Sequence, residues 1–126
     1  MPITKPEASE HARYYTQYIA KVTENDLTEA LENSFSQTIG VLKTIPADKA
    51  DFSYAPGKWT VKQLLTHLTD AERIFAYRAL TFARNDQTAL PAFDEELYAP
   101  ESNAENRTLD EVITDYENVR RSTLSL

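Results

Sequence analysis

Polar and apolar positions alternate with a period of three to four residues in three stretches of this chain, and each stretch follows the same short signal. A small polar residue stands where it can accept from free backbone N–H groups. Three positions later a Glu or Gln can reach back to it, the arrangement that opens a helix. The pairs are Asp26 with Glu29, Thr60 with Gln63, and Thr108 with Glu111. After Asp26, the residues Leu27, Leu31, Phe35, Ile39 and Leu42 recur on one face until Pro46, which lacks the donor a helix needs. A first main helix is predicted over 26–45. After Thr60, a stripe of Val61, Leu64, Leu65, Leu68, Ala71, Phe75, Ala79 and Phe82 predicts the longest helix, 60–85, with that stripe toward the core. After Thr108, the residues Leu109, Val112, Ile113, Tyr116, Val119 and Leu124 predict a third helix over 108–126, with no stop signal before Leu126.

The connections carry aromatics. Residues 54–59, Tyr54-Ala55-Pro56-Gly57-Lys58-Trp59, form a predicted turn that seats Trp59 just before the Thr60 cap, as a hydrophobic staple would. From Leu90 to Asn106 a long crossover contains Pro91, Phe93, Tyr98 and Pro100, and its rings need something to pack on. Residues 1–25, with Tyr14, Tyr15, Tyr18 and Ile19, are an N-terminal arm, either a short helix or an extended strap. The expected class is all-α, a single domain over 1–126.

Composition narrows this further. With 126 residues, 41% of them hydrophobic, there is material for one core, and two glycines are too few for a turn-rich β design. No cysteine means no disulfide, thiolate metal site or cysteine nucleophile. No run of about 18 apolar residues occurs, and no signal peptide opens the chain, so no membrane role and a cytoplasmic address are expected. A formal charge of −7 has the wrong sign for nucleic acid or an anionic membrane surface.

Candidate chemistry rests on two histidines, His11 and His67. His11 lies in a polar stretch and is expected at the surface. At about 100° per residue, with Leu64 at zero, His67 falls near 300°, on the flank of the apolar stripe. Gln63 and Asp70 lie within about 60° of it, whereas Glu72 is about 140° away. Asp70 can therefore reach His67, and a carboxylate one turn from an imidazole can orient a metal ligand. A half-buried helix histidine bonded to its neighbours fits the same spacing. Arg78, about 20° from His67's direction, either snorkels or points an anion-binding group into the same groove. Trp59 is a packing staple or, less simply, a ligand platform. No Ser-His-Asp elbow and no phosphate-cradling glycine loop exist.

The run Tyr54-Ala55-Pro56-Gly57-Lys58-Trp59-Thr60-Val61-Lys62-Gln63-Leu64-Leu65-Thr66-His67-Leu68-Thr69-Asp70-Ala71-Glu72-Arg73, followed by Ile74 to Arg78 and by Leu90-Pro91-Ala92-Phe93-Asp94, resembles the DinB-like superfamily. The resemblance runs from about Tyr14 to Leu126. It implies an up-down-down-up four-helix bundle, with three of the four main helices present. It also implies a divalent metal, nickel or zinc, held by three histidines and used in transferase, isomerase or hydrolase chemistry on small molecules, some of it thiol-linked. Of those ligands His67 carries over, with Gln63, Asp70, Arg78 and Trp59 as possible second-layer or pocket residues. The other two belong to a His-x-x-x-His pair on the fourth helix and have no counterpart here. A metal held by one imidazole falls short of the three protein ligands that catalytic zinc takes. The expectation is therefore twofold: a metal-dependent enzyme family, or a small-ligand-binding or dimerisation module without the metal site. Three amphipathic helices leave an apolar groove open, so a homodimer is expected, with the stripe of the third helix as the open face.

Overall fold

A computed structural model describes residues 1–126, all of them helix, turn or coil with no strand. The five α-helices are α1 (Thr16–Ile19), α2 (Leu27–Leu42), α3 (Val61–Ala83), α4 (Glu95–Glu101) and α5 (Leu109–Ser125), joined in part by three short 3-10 turns. The expected all-α class is what the chain adopts. None of its helices is long and apolar enough to cross a membrane. The chain divides into two compact units, Met1–Thr38 and Ile39–Leu126, and the division falls inside α2.

Two of the three predicted capping boxes are complete. Thr60 accepts from the Gln63 N–H at 3.1 Å, and the Gln63 carbonyl oxygen accepts from the Thr60 N–H at 2.9 Å. Thr108 and Glu111 make the same exchange at 3.2 and 2.7 Å. Asp26 gives only the forward half: one carboxylate oxygen accepts from the Thr28 and Glu29 N–H groups, and the other takes the Ile3 N–H at 3.0 Å. Those bonds, that from Glu29 foremost, hold the Asp26 carboxyl below its ordinary pKa.

The far end of α3 is closed by a Schellman motif, because Asn85 adopts a left-handed φ of 55°. The Asn85 N–H then donates to Phe82 O and the Asp86 N–H to Thr81 O. Asn85 takes the place that glycine more often holds in such a stop, at the residue where the sequence pattern ends. The predicted crossover contains a helix of its own, α4, capped by Asp94 through the Glu96 N–H at 2.9 Å. In the arm, α1 is the short helix allowed as one of two possibilities.

In the unit Ile39–Leu126, α3 and α5 run parallel. Lys62, early in α3, donates to Arg107 O at 2.9 Å just before α5, and Glu72, near mid-α3, bonds Arg120, well along α5. A parallel pair has to be joined by a chain that travels back along the whole of α3, roughly 34 Å at 1.5 Å per residue. The long crossover with α4 does this. The parallel pair is the down-down portion of the expected topology.

The core of this unit is Leu42, Ala50, Leu65, Ala99, Ala104, Leu109, Val112, Ile113 and Tyr116. The face predicted for α5 is the face it buries, so the stripe expected to stand open for a second copy is covered within the chain itself. For α3 the expectation fails: of its apolar stripe only Leu65 is buried, while Leu64, Phe75 and Phe82 are 49%, 52% and 75% exposed. The face turned inward carries Lys62, Leu65, Thr66 and Thr69. Two physical reasons make this face buriable. The Thr66 and Thr69 hydroxyls donate to the carbonyls of Lys62 and Leu65 four residues back, which leaves small, satisfied side chains that permit close helix approach. The Lys62 ammonium meets Glu105 O, Arg107 O and the Asp51 carboxylate, so its burial leaves no donor orphaned.

Candidate functional site

The turn before α3 builds the first cleft. Gly57 takes φ 75°, which L side chains rarely adopt, and the Ser53 hydroxyl donates to Lys58 O at 2.9 Å across the turn. The Val61 and Lys62 N–H groups donate back to Phe52 O and Ala50 O, so the free donors at the start of α3 are used by the chain itself. Phe52, Tyr54 and Trp59 thereby stand around a cleft of about 410 Å³ floored by Val61 and Leu64, with Glu96 at its edge.

Trp59 also packs onto α3 through His67: the two rings lie 5.0 Å apart between centroids and are tilted 47° to each other. The staple expected of Trp59 thus reaches two turns into the helix. His67 is half-buried beside the exposed stripe rather than beside a core face. Its ring contact holds it, and neither ring nitrogen exchanges a hydrogen bond with another group of the chain.

The neighbours predicted for His67 are engaged elsewhere. Gln63 is committed to the Thr60 cap. Asp70 accepts from Arg73 at 3.0 Å instead of orienting His67, because a guanidinium three residues on offers a full charge and a donor fork to the same carboxylate. Glu72, the more distant carboxylate, pairs with Arg120. No group of three or more His, Asp or Glu side chains comes close enough to hold a metal ion. One imidazole whose single nearby carboxylate, Asp70, is ion-paired to an arginine does not make the donor set of a divalent-metal centre. His11 is half-exposed, with Nδ1 3.0 Å from Ala12 O, and no acidic side chain bonds it.

Arg78 does not join His67 either. Its Nη2 donates to Pro91 O at 2.9 Å, and its guanidinium lies 5.3 Å from the Phe75 ring, at a second cleft of about 250 Å³ between α3 and the crossover. Phe93 and Tyr98 of the crossover close this cleft with rings 5.5 Å apart. The sequence shows that these rings need a partner, and their distance from α3 along the chain hides which one. A larger recess of about 590 Å³ lies in the unit Met1–Thr38, among Ile3, Ile19, Val22, Leu27 and Leu31. Three bonds cross its lining, Ile3 N–H to Asp26, Leu27 N–H to Ile3 O and Lys5 to Val22 O.

Among known proteins, the family model described as the DinB superfamily matches residues 30–126. No curated protein and no solved structure matches the chain.

Proposed function

This chain belongs to the DinB superfamily, and from that premise we propose that residues 1–126 form a small-molecule-binding domain whose site is the cleft walled by Phe52, Tyr54 and Trp59. One observation carries the reading: the polar side chains around His67 are bound to one another, while the aromatic cleft beside it stands open with three rings on its walls. Rings supply contact area at low entropic cost, and a site dominated by them selects a flat, largely apolar molecule. Trp59 is the one tryptophan of the chain, so its indole N–H gives a single NMR resonance at the site. Titration with phenol is expected to shift that resonance saturably, and to do so much more weakly in Tyr54→Ala. A resonance that does not move at any phenol concentration the protein tolerates rejects the reading.

A second reading is supported by the two unengaged nitrogens of His67. In it, His67 is the imidazole that these residues contribute to a nickel or zinc centre of the superfamily's transferase or hydrolase kind, and the remaining donors come from outside 1–126. Its test is elemental analysis of the protein as the cell makes it, after exposure to zinc or nickel followed by dialysis: about one ion per chain, absent in His67→Ala, supports it, and no metal retained by that natural protein rejects it. As a partner, a second copy of the chain is proposed for the exposed row Leu64, Leu68, Phe75 and Phe82. These four share one face of α3, and solvent-exposed apolar rows of this extent mark association surfaces.

A further inference from the structure

The cleft at Arg78 has a chemistry that the reading above does not use. The chain carries 20 acidic against 13 basic residues, and four of its arginines, Arg73, Arg107, Arg120 and Arg121, each meet a carboxylate. Arg78 meets none. It is half-buried, yet the residues lining its cleft include no Asp or Glu. A single bond from Nη2 to Pro91 O aims the guanidinium and leaves the other donors of the fork available. The second arginine at the rim, Arg73, is already shared between Asp70 at 3.0 Å and Asp115 at 3.9 Å, which leaves one uncompensated positive charge.

Around that charge the walls are apolar and aromatic: Ile74, Leu90 and Phe93, with the rings of Tyr77 and Tyr98. Neither tyrosine hydroxyl is hydrogen-bonded within the chain, so each remains free to donate. A fork that binds planar oxyanions, one net charge and ring-lined walls together select a monoanion with an apolar body. A small inorganic anion would match the fork but leave the walls without a partner, and a neutral aromatic would match the walls but leave the arginine unanswered. We propose that this cleft binds a small organic carboxylate, its carboxylate on the Arg78 fork and its hydrocarbon or aryl body against Ile74, Phe93 and Tyr98. The proposal does not rest on the Trp59 cleft, whose lining residues are different.

The test is an NMR titration of the full chain with benzoate, with benzamide and inorganic phosphate as comparison ligands. The expected result is saturable benzoate binding that shifts the Arg78 side-chain Nε–H, gives intermolecular NOEs to Ile74 and Phe93, and leaves the Trp59 indole N–H in place. Benzamide and phosphate are expected to bind more weakly. Arg78→Gln should weaken benzoate by about tenfold or more, since a charged hydrogen bond is lost, whereas Arg84→Gln, an exposed arginine outside the cleft, should leave it unchanged. The proposal is overturned by an absence of NOEs to the cleft in the parent protein, by benzamide or phosphate binding at the Arg78 cleft, read from the Arg78 Nε–H, as tightly as benzoate, or by a folded Arg78→Gln that binds benzoate there within twofold of the parent. The NOE measurement needs no variant, so it decides the matter even if Arg78→Gln does not fold.

Discussion

Glu72 of α3 and Arg120 of α5 form a two-pronged ion pair, Nε to Oε1 at 2.8 Å and Nη2 to Oε2 at 2.9 Å, with side chains only 13% and 11% exposed. The guanidinium also lies 5.6 Å from the Tyr116 ring. Burial opposes its charge, and the Glu72 bonds together with Tyr116 outweigh that, so the arginine pKa stands above its ordinary value. The fork and the carboxylate match in one relative position of the two helices. The pair therefore sets the register in which α3 and α5 lie side by side.

Removing one partner should be costly and removing both should not. Glu72→Gln leaves a buried guanidinium without its counter-charge, and the expected loss is about 3 kcal/mol in urea unfolding. The double variant Glu72→Leu with Arg120→Met fills the same space with apolar groups and is expected to recover most of that loss. A double variant as unstable as the single one would show that the pair is worth more than its specificity.

Thr60 tests the entry of α3, from which the turn and Trp59 take their position. Thr60→Ala removes the acceptor for the Gln63 N–H and should lower stability by about 1 kcal/mol, while Thr60→Ser should cost only a few tenths. Thermal melts of the two variants measure the difference. Because Trp59 immediately precedes the cap, the alanine variant should also shift Trp59 fluorescence, and an unchanged spectrum would separate cap from cleft.

Asp115 makes stability depend on acid. Its carboxyl is held below the ordinary value mainly by the Arg107 bond at 2.6 Å, helped by the charges of Arg107 and Arg73 and opposed by partial burial. A carboxyl with a depressed folded-state pKa stabilises fully above its unfolded pKa, about 3.9, and that stabilisation disappears as pH falls through the lower folded value. Urea midpoints should therefore hold steady from neutral pH to about 5 and then drop below about 4. Asp115→Asn is expected to start less stable at neutral pH and to show a shallower drop. Glu111, lowered by its bonds with Thr108, acts with the same sign.

The exposed row on α3 should bring two copies together. Sedimentation at micromolar concentration is expected to find a dimer, and Leu68→Lys or Phe75→Lys is expected to return it to monomer without loss of helix content. A parent chain that sediments as a folded monomer contradicts the assignment of that face.

The sequence alone determined the helices that carry the fold. Capping signals and a 3.6-residue period are local, so Thr60, Thr108, Pro46 and the apolar stripe of α5 each announced their role within a few neighbours. The family match over 30–126 agrees with the residues that carry the resemblance. Which face of α3 turns inward was decided only by the tertiary structure. Periodicity reports where apolar side chains are, not which partner covers them. The inward face of Thr66, Thr69 and Lys62 reads as polar until its hydroxyls and ammonium are seen bonded to backbone oxygens. The same holds for the site residues: spacing put Asp70 within reach of His67, but a nearer full charge on Arg73 claimed it, and Arg78 found its surroundings in a crossover more than ten residues away. Angles on a helical wheel fix directions, and competition among charges across the chain fixes partners.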